Sequence, residues 1–89
     1  MEYNVLDFGA VGDGNVNDAK GIQKAIDICS KNDGGKVILP GGHIFNSGYI
    51  ILKSNVDLHI ERGAVLKASD NLEDYYPLAN NGEIVEHHS

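Results

Sequence analysis

Short apolar runs recur through the middle of this chain at a spacing close to twenty residues. That spacing restricts the fold more than any other feature. Val37-Ile38-Leu39 and Val56-Asp57-Leu58 start nineteen residues apart, and the stretches opening at Gly42 and Gly63 start twenty-one apart. Strands are predicted over 36–39, 49–52, 55–60 and 64–67, with Gly, Ser or Asn in the breaks between them, as turns require. Within one of them Val56, Leu58 and Ile60 alternate with Asp57 and His59, which gives one buried face and one wet face. No Asn-Gly or Asp-Gly pair links neighbouring strands, so the commonest hairpin connection is missing. Several short strands per period of about twenty is the pattern of successive coils of a β-solenoid.

A helix precedes the strands. From Ala19 to about Lys31, Ile22, Ala25, Ile26 and Cys29 fall on one stripe, and Lys20, Gln23, Lys24 and Asp27 on the other face. Asp18 stands where an N-cap carboxylate would accept from the first-turn amides, and Asn32-Asp33-Gly34-Gly35 supplies the stop. Gly21 costs such a helix about 1 kcal/mol relative to Ala. An amphipathic helix must lie on something.

Eighty-nine residues suit one small domain with a limited core. A net charge of −6 excludes nucleic acid as a partner, because no basic patch is available to displace counterions from phosphates. The longest apolar run falls far short of the ~18 residues a membrane span needs, so no membrane partner is expected. No leader-like segment precedes Tyr3, which leaves two localisations open: cytoplasmic, or secreted with the leader missing. The single Cys29, at an apolar helical position, reads as core.

Phe8-Gly9-Ala10-Val11-Gly12-Asp13-Gly14 and the residues down to Asp18 invite two binding readings, and both fail. The glycines run G-x-x-G-x-G, the reverse of a dinucleotide fingerprint, and no Gly-Lys-Ser/Thr opens the helix. Asp13, Asn15 and Asn17 match the first ligands of a calcium loop, but Asp18 replaces its obligatory Gly and Lys24 its bidentate Glu. His43 and His59 share no ligand spacing with a Cys or carboxylate. Glu86-His87-His88 reads as a solvated tail, Asp70, Glu73 and Asp74 as an acidic turn, and Tyr75-Tyr76-Pro77 as rings packed over a coil. No catalytic, cofactor-binding or metal-binding residue is therefore assigned, and no cofactor.

The string from Phe8 to Gly14, followed by Asp18 and Ile22-Gln23-Lys24-Ala25-Ile26-Asp27, resembles the start of pectin-lyase-like right-handed β-helix proteins. Gly34-Gly35-Lys36-Val37-Ile38-Leu39-Pro40-Gly41-Gly42 resembles their first coil strand and turn. The segment from Leu52 to Leu66, with Ser69-Asp70 and Asp74-Tyr75-Tyr76-Pro77 behind it, is similar to glycoside hydrolase family 28, the polygalacturonases. The resemblance implies a mostly β fold, the first coils of a right-handed parallel β-helix behind one N-terminal amphipathic capping helix. Its parts are an opening strand and turn over 3–18, the helix over 19–32, coils over 36–69 and a long loop or tail over 70–89.

The implied activity is inverting hydrolysis of galacturonan, with pectic polysaccharide or oligogalacturonide as the partner. The alternative is a non-catalytic polysaccharide-binding or tailspike-type module. Inversion requires one carboxylic acid on the leaving oxygen and one carboxylate activating water. The family motifs that supply such groups, of the types Asn-Thr-Asp, Asp-Asp, Gly-His-Gly and Arg-x-Lys, do not occur here, so this chain is expected to be inactive alone. Ala19, Gly21 and His43-Ile44 depart from the family pattern at positions that affect only helix and turn stability. An uncapped last coil also makes self-association an expected partner reaction, and a marginal fold in isolation.

Overall fold

The computed structural model describes residues 1–69. The readings placed on Asp70, Glu73, Asp74, Tyr75, Tyr76, Pro77, His87 and His88 lie outside the described residues.

The elements in chain order are β1 (Glu2–Asn4), a 3-10 turn (Val5–Phe8), β2 (Asp13–Asn17), α1 (Ala19–Lys31), β3 (Gly35–Leu39), β4 (Ile44–Ser47), β5 (Val56–Ile60) and β6 (Val65–Ala68). They form two parallel sheets, β1-β3-β5 and β2-β4-β6. Successive strands alternate between the sheets, so each turn of chain adds one strand to each. Parallel pairing leaves no room for hairpins and requires a crossover every time. Here the crossover is the other wall of the coil.

The register bears out the twenty-one-residue spacing and corrects the nineteen-residue one. Gly35 pairs with Val56 and Leu39 with Ile60, a step of twenty-one, and Ile44 pairs with Val65 at the same step. Val37 therefore lies beside Leu58 and not beside Val56. The nineteen-residue alignment differs by two, which preserves the inward and outward alternation, so hydrophobic pattern alone does not separate the two registers. In the first coil Glu2 pairs with Lys36, thirty-four residues on, because the thirteen residues of α1 are inserted there.

The helix lies over the start of the stack. Ile22, Ala25, Ile26 and Cys29 are fully buried against Val5, Val37, Leu39 and Phe45. Burying each of the larger aliphatic side chains contributes about 1.5–3 kcal/mol. Gly21 has a packing reason that its helix propensity hides. A Cβ there would stand 2.5 Å from the Ala10 nitrogen, so the missing methyl is what lets α1 seat on the 9–10 backbone.

One predicted strand is absent. Among the described residues, 49–52 belong to no strand, and Ile51 and Leu52 are 46% and 59% exposed. The β-branched pair suits a strand, but the neighbour on this side of the coil is α1, whose mid-helix backbone groups are already paired internally.

Candidate functional site

The glycine-rich stretch is built around Asp18, though not as a helix cap. Its carboxylate is 3% exposed and makes no bond to the first turn of α1. Instead the Val11 N–H donates to Oδ1 at 2.9 Å and the Gly12 N–H to Oδ2 at 3.0 Å. The capping oxygen comes one residue earlier. Asn17 Oδ1 accepts from the Ala19 N–H at 3.1 Å and also from the Gly48 N–H at 2.9 Å, tying the helix start to the next coil. Gly12 sits at φ +71, and a Cβ there would lie 2.7 Å from His43 Nδ1. The turn is shaped to pack on the coil above it.

This geometry engages several of the groups the binding readings need. A phosphate would require free amides in the turn, and those of Val11 and Gly12 face Asp18. The calcium reading rests on Asp13, Asn15 and Asn17, and the first and last of these are engaged. Asp13 Oδ1 accepts from the Asn15 and Val16 N–H groups at 2.8 and 3.3 Å, and Asn17 Oδ1 is doubly occupied. Both side chains hold backbone.

The remaining polar side chains are similarly dispersed. Glu61 accepts from the Gly41 N–H at 3.1 Å. His43 Nδ1 lies 3.3 Å from the Gly12 carbonyl, with its ring beside Phe45. His59 lies at the Ile38 register on an exposed part of β5. Asp27 pairs with Lys53 at 2.8 Å. The Lys53 hydrogen bond, and after it that of Gln23, holds the Asp27 carboxyl below its ordinary value. Among the described residues no group of three or more His, Cys, Asp or Glu comes together to hold a metal.

What the structure concentrates is unpaired sheet edge. Among the described residues β5 and β6 each have a partner on one side only. Leu58 and Leu66 are half-buried beside fully buried Val37 and Phe45. An open hollow of about 300 Å³ at this end is lined by Ser47, Gly48, Ile50, Leu66, Lys67 and Ala68. Chemically, this surface can accept another parallel strand on each sheet and cover its apolar row. Sequence reading did not anticipate the Asp18 clamp, whose partners lie six and seven residues back across a turn.

Two parallel sheets wound by one chain, with a helix over one end, define the class: the capped beginning of a right-handed parallel β-helix. Within it, a family model described as rhamnogalacturonase A/epimerase, pectate lyase-like matches residues 3–84, and the chain belongs to that family. The family 28 exopolygalacturonase of Yersinia enterocolitica superposes with a TM-score of 0.76 at 43% identity, over 84% of this chain and 13% of that one. Exo-poly-α-D-galacturonosidase of Dickeya chrysanthemi is 42% identical over 72 residues, 81% of this chain and 12% of its own length. Alginate lyase 7 of Azotobacter vinelandii is 51% identical over 63 residues, 63% of this chain and 7% of its own length. Mannuronan C5-epimerases of the same bacterium and a tailspike of bacteriophage HK620 are also similar, the tailspike at 29% identity with a TM-score of 0.63. The chain thus spans about a tenth of these curated relatives.

Proposed function

We propose that this chain is the capped start of a longer β-helix enzyme that hydrolyses galacturonan with inversion. Its catalytic carboxylates lie outside these 89 residues, and its partner is pectic polysaccharide or oligogalacturonide. The observation that carries the reading is 42% identity to an exo-poly-α-D-galacturonosidase across 81% of the chain. The helix cap and first coils give later coils a fixed register, which is the contribution this segment makes to catalysis elsewhere in the stack. A second reading is a uronan lyase or epimerase, favoured by the 51% identity to an alginate lyase. The tailspike similarity supports a third, a β-helix module that holds polysaccharide without cleaving it.

The test uses polygalacturonate and alginate, with the full-length gene product and the 89-residue chain assayed side by side. New reducing ends without unsaturated uronate, from the full-length protein on polygalacturonate alone, are expected. Unsaturated product or a changed configuration at uronate C5 overturns the hydrolase in favour of the second reading. Binding without cleavage favours the third. Hydrolysis by the 89-residue chain refutes the placement of the catalytic groups outside it.

A further inference from the structure

The third side of the first full coil, residues 48–55, runs past α1 and, among the described residues, belongs to no strand. A strand laid against a helix meets a physical difficulty, because mid-helix N–H and C=O groups are spent within the helix. Peptide groups of the passing chain that face the helix then have only water or side chains to bond. At Ile51 a single side chain meets both needs. The Ile51 N–H donates to Gln23 Oε1 at 2.7 Å, and Gln23 Nε2 donates to the Ile51 carbonyl at 3.0 Å. A carboxamide carries the same donor and acceptor as a peptide group. Gln23 thus makes to Ile51 the pair of bonds that a neighbouring strand would make.

The surrounding contacts favour this one arrangement. Gln23 Nε2 also donates to Asp27 Oδ1 at 2.9 Å, and Lys53 reaches the same oxygen at 2.8 Å. The amide nitrogen of Gln23 is thereby turned toward the Ile51 carbonyl and its oxygen toward the Ile51 N–H. At the two ends of the segment Asn17 holds the Gly48 N–H, and the Val56 N–H turns back to the Lys53 carbonyl at 3.3 Å. Ile51 is the midpoint, with Gln23 as its anchor.

We propose that Gln23 is a positioning residue that extends strand-type pairing across the junction between helix and coil, fixing the course of residues 48–55 and so the line along which the third wall begins. It acts through Ile51 and is independent of the two sheets.

Amide exchange of the whole chain, resolved by residue, tests this. In Gln23→Ala the Ile51 amide is expected to exchange about tenfold faster or more, the loss of one hydrogen bond's protection, with β3 and β5 amides unchanged. Gln23→Met keeps the length of the side chain and loses both the donor and the acceptor, so its Ile51 amide is expected to exchange as fast as in Gln23→Ala. Three results overturn the proposal: Ile51 exchange in Gln23→Ala equal to the parent, acceleration shared equally by β3 and β5, or parent-like Ile51 protection in Gln23→Met.

Discussion

Asp18 offers the sharpest test of how this chain is built, because its position suggests one role and its contacts show another. As a helix N-cap it would be replaceable: Asn and Ser cap about as well as Asp, and exchange among them changes stability by a few tenths of a kcal/mol. As a buried clamp it is not replaceable. Its two oxygens take the Val11 and Gly12 N–H groups at 2.9 and 3.0 Å, on a residue only 3% exposed. Each charged hydrogen bond contributes about 1.5–3 kcal/mol net. Asp18→Asn keeps one acceptor and turns an NH₂ toward the other donor, stranding it. The expected loss is about 2–4 kcal/mol, and Asp18→Ser, whose shorter side chain reaches at most one amide, loses at least as much. That is a large share of the roughly 5–10 kcal/mol that holds a domain of this size. Urea unfolding followed by circular dichroism measures it, with the slope checked for constancy. Exchange at the Val11 and Gly12 amides shows whether the loss is local to the turn. Asp18→Asn within a few tenths of a kcal/mol of the parent would refute the clamp.

Gly21→Ala separates propensity from packing by sign: the helix scale gives a gain of about 1 kcal/mol, whereas a Cβ 2.5 Å from the Ala10 nitrogen overpacks by about 1–3 kcal/mol. A lower Tm is expected, and a higher one would show that α1 does not seat on the 9–10 backbone as described. For Asp27, the folded carboxyl titrates below its ordinary 3.8, so its contribution is fully present above that pH and is lost as the pH falls through the lowered value. With side chains 43% and 46% exposed the pair is worth about 0.2–1 kcal/mol at most. In Lys53→Met the Asp27 carboxyl should titrate higher by NMR and the acid-side loss of stability should shrink; an unchanged titration would remove Lys53 as the cause.

Local chemistry made several elements legible before any coordinates. The Ile22, Ala25, Ile26 and Cys29 stripe marks the buried face of α1, since helical period is a property of consecutive residues. The outline of β3 and β5 follows from β-branched runs bounded by glycine, asparagine and proline. Tyr49-Ile50-Ile51-Leu52 carries the same signal and makes no strand, because a strand also needs a partner with free peptide groups. The Asp18 carboxylate was legible as a hydrogen-bond acceptor but not as to which amides it would accept from. Of the candidate site, the lack of nucleotide and calcium signatures could be read from spacing. That the Asp13 and Asn17 oxygens and the Val11 and Gly12 amides are already engaged could not.

By itself the sequence determined the alternation of inward and outward residues, the helix and its apolar face, and the solenoid repeat. Each of these rests on neighbours in the chain. Only the tertiary structure decided between the nineteen- and twenty-one-residue spacings, in favour of the second, which pairs Val37 with Leu58. It also decided that Gly21 is a seat and not a weak point, and that Gln23 bonds Ile51 across the junction of helix and coil. The reason is common to all three. A shift of two residues, a missing methyl and a carboxamide look alike or unremarked along the chain, and acquire distinct energies only when another turn of the coil lies against them.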